Sequence, residues 1–353
     1  MQDHGAGSGW RYKRSLRRGG VGLVLARAWP FLFSAVIVGA LAGAVGAYLQ
    51  PQMVAAVPLF GPALWGAVAG LGALAGFVIG AALAFLRAPA RVSATTGDRL
   101  EAMVGAPVLA LTPLIAARDF RQVAPDLRYP GGLLVSAPES VFAQAVRTAT
   151  GRITRWRAGE AGMAVALIAA APREGATSVA LALARAAAAA GKRVALVDAD
   201  PRDRSLSAVL ELDRGRGLWT ALDEPLDSPG GGALIEGHMA PDPYTSLMVL
   251  PQGEGSSATR ELYGHPRLPA LIAGLKARFD LVLLDCGPVG LVDGRLTATQ
   301  ADAVVLVAAW NATLVRHVMV AIKGLERLGA VTPGVIVNGL SDTAVRRWLQ
   351  AGP

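Results

Sequence analysis

The chain has 353 residues, 53% apolar and only 17% charged, with a mean hydropathy of +0.42; a soluble globular protein carries about 25% charged residues, so part of this one is expected in lipid. The formal charge is +8, but eight basic side chains against the single acid Asp3 place +7 of it in residues 1–97. The nearly neutral remainder excludes nucleic-acid binding through a basic face.

In chain order, residues 1–30 form a basic segment with Arg11, Lys13, Arg14, Arg17, Arg18 and Arg27. From Phe31 to Leu86 there is no charged residue and no histidine. Residues 31–49 are enough for a helix of roughly 28 Å, and residues 63–86 cross with some tilt. Between them, residues 50–62 contain Pro51, Pro58 and Pro62, which break helix and make a short turn. The first segment is too long for a signal-peptide core and is followed by a second span. Basic residues flank both outer ends, so a transmembrane hairpin with both termini cytoplasmic is expected. Gly72, Gly76 and Gly80 stand four apart along one helix stripe, a spacing that allows close helix contact.

Residues 87–160 are mixed and proline-punctuated, and are expected to form a cytoplasmic linker. Asp98–Val104 reads as a short helix, Val108–Leu111 as an extended piece, and residues 117–137 as a surface loop. Ser140–Ile153 has Val141, Phe142, Ala145, Val146 and Ala149 at helical spacing.

From 161 to 345, apolar runs alternate with helical segments. Strands are expected at Met163–Ala170, Arg193–Val197, Leu247–Leu250, Leu281–Leu284, Val304–Ala308 and Gly334–Val337, with an alanine-rich helix at Thr177–Ala190. Buried apolar strands between helices indicate a mostly parallel sheet with flanking helices, an α/β fold. Ligands in such sheets bind beyond the C-terminal strand ends. Three loops lie there: Ala171–Ser178, Asp198–Ser205 and Asp285–Asp293. Residues 346–353 read as a tail. Cys286 alone cannot form an internal disulfide, and beside Asp285 it reads as packing rather than as a reactive thiol. The four histidines lack ligand spacing, so no structural metal is expected.

The Val194-Ala195-Leu196-Val197-Asp198-Ala199-Asp200-Pro201-Arg202 stretch and the later Phe279-Asp280-Leu281-Val282-Leu283-Leu284-Asp285 stretch follow a strand, loop and helix. In that order they resemble the P-loop kinase domain of bacterial tyrosine kinases, the cytoplasmic halves of polysaccharide co-polymerases that regulate chain length. The resemblance covers residues 98–345. Val104–Ala110 and Pro138-Glu139-Ser140 with Ala143–Arg147 also resemble the family, and its two-span topology fits. It implies a P-loop NTPase-like sheet, Mg-ATP as cofactor, and catalytic carboxylates at Asp198, Asp200 and Asp285. It further implies nucleotide contacts from Arg173, Glu174, Gly175, Ala176, Thr177 and Ser178, and Mg²⁺ held by Thr177, Asp198 and Asp285. Arg147 is the one residue kept from a Glu-x-x-Arg-x-x-Arg oligomer-contact pattern that falls on Gln144, Arg147 and Thr150. The implied partners are the polysaccharide polymerase and export machinery and further subunits, with no nucleic acid.

The sequence departs from that family in its phosphate loop. A working loop needs glycines and a Lys that reaches the β- and γ-phosphates; here Arg173 replaces a glycine and Ala176 stands at the Lys position. A charged hydrogen bond contributes about 1.5–3 kcal/mol, so nucleotide binding is expected to weaken roughly 10- to 150-fold. Only Pro288 remains of two prolines after Asp285, the C-terminal tyrosine cluster is absent, and Tyr12, Tyr48, Tyr129, Tyr244 and Tyr263 are scattered. The 50–62 turn is too short for the family's extracytoplasmic domain. Three readings follow: a degenerate regulatory or scaffold subunit of exopolysaccharide assembly, an autokinase with a substitute cation such as Arg173, and a partitioning-type ATPase switch.

Overall fold

The computed structural model describes residues 97–115, 127, 129–156, 162–200, 204–212, 215–224, 235–253, 261–332 and 334–351. The expected hairpin at 31–86 and the basic segment ahead of it lie outside these residues. Among the described residues no helix is long and apolar enough to cross a membrane.

Eight strands form one sheet: β1 (Val108–Pro113), β2 (Met163–Ala169), β3 (Val194–Asp198), β4 (Ala240–Pro241), β5 (Met248–Leu250), β6 (Leu281–Pro288), β7 (Ala303–Ala309) and β8 (Gly334–Leu340). Their spatial order is β1-β8-β7-β2-β6-β3-β5-β4. Every pairing is parallel except β4 with β5. All residues of β2, β3 and β7 are buried. Strands covered on both faces can be apolar throughout, so these runs show no alternation.

The helices are α1 (Gly97–Val104), α2 (Leu133–Ser136), α3 (Val141–Trp156), α4 (Ala176–Ala189), α5 (Ser205–Val209), α6 (Leu218–Asp223), α7 (Leu268–Arg278), α8 (Val292–Ala298), α9 (Val315–Arg327) and α10 (Asp342–Gln350). The Ser140 hydroxyl accepts from Ala143 N–H at 3.1 Å at the start of α3, a side-chain cap for an otherwise unpaired donor. The stripe read for α3 is buried, and Ile153 joins it. Helix α4 is buried on nearly all sides; alanine lets it pass between α3 and the sheet, both of which it contacts.

The stretch expected as a linker contributes directly to this fold. Strand β1 forms the sheet edge by pairing along β8, because its apolar side chains are all buried there. Part of the expected 117–137 surface loop is also internal: Gly131, Gly132 and Leu133 are buried, and a Cβ on Gly131 would lie 2.9 Å from the Leu181 side chain of α4. The expected tail likewise begins inside α10, whose Trp348 is buried. Strand β6 continues past Leu284 through Pro288, so Asp285 and Cys286 are strand residues rather than a strand terminus and loop.

Arg185 of α4 is fully buried and pairs with the equally buried Asp242. Its guanidinium lies 5.3 Å from the ring centres of both Tyr129 and Tyr244 and donates to the Gly131 carbonyl at 3.3 Å. Two tyrosines that looked scattered in sequence thus flank one cation.

Candidate phosphate-binding site

Between β2 and α4 the chain turns through two left-handed residues, Arg173 at φ 67° and Gly175 at φ 86°. Gly175 is required twice over. Its φ disfavours side chains, and a Cβ would sit 2.5 Å from Asn338 Nδ2. That amide donates to the Glu174 carbonyl at 2.9 Å, while the Thr112 hydroxyl donates to Asn338 Oδ1 at 2.9 Å. Strand β8 and edge strand β1 therefore clamp the loop.

The Glu174 side chain turns inward and is 4% exposed. It accepts the Thr313 hydroxyl through Oε1. Burial pushes its pKa to about 7, opposed by Thr313 and by backbone N–H groups of Ala171, Ala309 and Ala170. It faces the loop's support rather than presenting a ligand group. Arg173 is exposed at the loop's outer side, whereas Ala176 is buried and Thr177 and Ser178 are half-buried at the start of α4. The backbone N–H groups of a first helical turn are suited to an anion.

Three carboxylates converge beside this loop. Asp285 of β6 is in register with Asp198 of β3 and with Leu167 of β2. Asp285 is fully buried, and neither of its oxygens completes a hydrogen bond. Burial raises its pKa to about 7; the Thr177 hydroxyl beside it opposes this, and the charges of Asp198 and Asp200 add to it. Burial also raises Asp198. The carboxylate of Asp200 rests against Gly287, whose Cβ position would be 2.5 Å from Oδ2. Gly287 has φ 69°, so glycine at this point lets the third carboxylate approach.

Two supporting residues escaped the sequence reading. Ser207 donates to Asp198 Oδ2 from both its backbone N–H (3.0 Å) and its hydroxyl (2.6 Å). Gln252, beyond β5, donates from Nε2 to the Asp200 carbonyl at 2.6 Å and from its backbone N–H to Ser207 Oγ at 3.3 Å. The five-residue helix carrying Ser207 is too short to show a period, and a polar residue after a strand was the only cue to Gln252.

Among the described residues, no group of three or more His, Cys, Asp or Glu is arranged to hold a metal ion alone. Asp198 Oδ1 and both oxygens of Asp285 are nonetheless buried without partners, and Thr177 adds a hydroxyl. An all-oxygen donor set of this kind fits Mg²⁺, which keeps several waters and shares phosphate oxygens rather than filling a protein cage.

The remaining candidate positions fall elsewhere. Cys286 is buried in β6, and burial with the neighbouring Asp285 charge holds its thiol well above the usual range. Lys192 is exposed just before β3, at the opposite end of that strand from Asp198. Arg147 is exposed on α3, beside the far end of α4, and does not join the carboxylates.

No family model matches the chain. Among curated proteins, it is 28% identical over 210 residues to the succinoglycan biosynthesis transport protein ExoP of Rhizobium meliloti, covering 58% of this chain and 26% of ExoP. It is 25% identical over 120 residues to the tyrosine-protein kinase Wzc of Salmonella typhimurium, covering 34% of this chain and 17% of Wzc. The match thus spans about a quarter or less of these relatives. Among solved structures, the BceF tyrosine kinase domain superposes with a TM-score of 0.58 at 24% identity, over 71% of this chain and 99% of that domain. The likeness is one of fold. In the order of its sequence motifs and in these relatives, the chain is similar to bacterial tyrosine kinases and polysaccharide transport proteins, and it shares the fold of a tyrosine kinase domain.

Proposed function

We propose that this protein is a membrane-anchored component of exopolysaccharide or capsule assembly whose P-loop domain serves as a regulatory or scaffold subunit. The observation that carries this reading is an assembled carboxylate site facing a phosphate loop in which Ala176 replaces the phosphate-binding lysine. The membrane anchor is the charge-free stretch 31–86, and the polysaccharide pathway is that named for ExoP.

In this reading, the loop and the first turn of α4 receive the nucleotide phosphates through backbone N–H groups. Thr177, Asp198 and Asp285 hold Mg²⁺, directly or through water. The ion supplies charge neutralisation at the β- and γ-phosphates. Ser207 fixes Asp198, Gln252 fixes the Asp200 backbone, and Asn338 fixes the loop. No described lysine belongs to the loop. Losing that cation weakens nucleotide binding roughly 10- to 150-fold and weakens phosphoryl transfer further, because transfer depends on charge stabilisation.

Calorimetry of Mg-ATP and Mg-ADP binding to the full chain in detergent tests this reading beside the Arg173→Gly/Ala176→Lys double variant. A silent native protein and a binding double variant support it. Micromolar binding by the native chain, with phosphotyrosine that disappears in Asp198→Ala, would replace it with the autokinase reading.

A further inference from the structure

Helix α9 carries its charge on one side. Val315, Val318, Ala321, Ile322 and Leu325 are buried against the domain, while Arg316, Val320, Lys323 and Arg327 are exposed. At about 100° per residue these four fall within an arc of about 60°, along a stripe about 16 Å long. The one acid of the helix, Glu326, points about 120° away from Val320 around the axis. None of the three cations makes an ion pair among the described residues. Val320 is 69% exposed in the middle of the stripe, and the exposed Leu328 and Val331 follow the end of the helix. A β-branched residue gains nothing from helix propensity at a solvent-facing position.

The place of α9 in the chain adds a second observation. It packs against α1, the first described element. Residues 87–96 separate the charge-free stretch ending at Leu86 from Gly97, and they include Arg87 and Arg91 but no acid. Ten residues reach at most about 35 Å. In the membrane-anchored reading, on which this inference rests, α1 therefore starts within about 35 Å of the lipid surface. Helix α9 joins neighbouring strands stepping toward β1, whereas α4 joins β2 to β3 in the other direction. Right-handed crossovers of opposite direction lie on opposite faces of a sheet, so α9 stands on the face away from α4.

We propose that the exposed face of α9 rests on an anionic lipid bilayer, with Arg316, Lys323 and Arg327 at the headgroups and Val320 in the interfacial layer. A basic residue near an anionic leaflet favours attachment roughly fivefold, so three contribute about 100-fold. That is too little to hold a free protein. For a domain already tethered, attachment is intramolecular, and the same factor decides between the docked and the free state. A bilayer takes up both the charges and the exposed valine without a shaped groove, which this convex helix face lacks. Glu101 of the neighbouring α1 does not oppose the contact, since it accepts the Val108 N–H at 2.7 Å. Nucleotide binding plays no part in the inference.

The test reconstitutes the full chain into vesicles of phosphatidylcholine alone, or of equal parts phosphatidylcholine and phosphatidylglycerol. An environment-sensitive fluorophore is placed on Val320→Cys, since the native Cys286 is buried. The expected result is a blue shift, with quenching by spin-labelled lipid, in the anionic vesicles only. High salt reverses both, because it screens surface charge. Arg316→Gln/Lys323→Gln/Arg327→Gln lowers the docked-to-free ratio roughly 100-fold at unchanged thermal stability. A probe at Val209→Cys on α5, which packs on α4, stays in water. Alkaline carbonate extraction tests the anchor separately: release of the chain overturns the anchored reading and this one with it. Where the chain stays integrated, three results overturn this proposal alone: a Val320 probe that remains in water, an equal shift in neutral vesicles (the mark of a second copy covering the face), or a shift kept by the triple variant.

Discussion

Replacing Gly175 by alanine asks the phosphate loop to hold a side chain where the structure leaves no room. The left-handed backbone costs an L-residue about 1–2 kcal/mol. The new Cβ also arrives 2.5 Å from Asn338 Nδ2, inside any permissible contact. Asn338 must withdraw and give up its 2.9 Å hydrogen bond to the Glu174 carbonyl, a loss of about 1 kcal/mol. The combined destabilisation is about 2–3 kcal/mol, or a fall in Tm of roughly 5–10 °C for a domain of this size. Thermal unfolding followed by circular dichroism, without nucleotide, measures it. Asn338→Ala in the same background removes the obstructing amide, so the double variant costs about 1 kcal/mol less than the sum of the singles. A single-variant loss below about 0.5 kcal/mol, or strict additivity, would refute the clamp as described.

Glu174→Gln tests the buried acid beneath the loop. Its pKa is raised from 4.5 to about 7, so the folded state binds the proton more tightly and native stability falls as pH rises across that window. The amide variant matches native stability near pH 4.5 and exceeds it by about 3 kcal/mol above pH 7.5; equal unfolding midpoints at both pH values would exclude this. Asp242→Ala leaves the Arg185 guanidinium buried without its carboxylate and is expected to cost about 3–5 kcal/mol in urea unfolding; a cost under 1 kcal/mol would mean the two tyrosine rings suffice. Ser207→Ala removes the hydroxyl donor to Asp198 and should cost about 1–3 kcal/mol, a range that a denaturation midpoint unchanged from native would contradict.

The α/β alternation, the extent of β2 and α4, and the three loops of the site were legible in the residues, because they depend on local hydrophobic pattern and motif order. Continuous apolar runs specify strands covered on both faces, and Asp198 and Asp285 end or interrupt such runs in a recognisable order. That residue 176 is alanine and not lysine is a sequence fact that no fold alters. The membership of Val108–Pro113 in the sheet was not legible, since an edge strand is defined by its partner and β8 lies more than two hundred residues further along the chain. The same distance hid Thr112 and Asn338, which act on the phosphate loop only once β1, β8 and β2 come together. Ser207 and Gln252 belong to short or irregular segments without periodicity and acquire meaning through their bonds to the Asp198 carboxylate and the Asp200 backbone. Arg185 is the sharpest case. An arginine within an alanine-rich helix reads as a solvated charge, whereas packing buries it and supplies Tyr129 from one distant part of the chain and Asp242 and Tyr244 from another. Local sequence thus determined what kind of elements form and which chemistry lies at their ends. The partners of each polar group were decided by tertiary structure, because buried charge and hydrogen-bonding groups are satisfied by whatever the fold brings next to them.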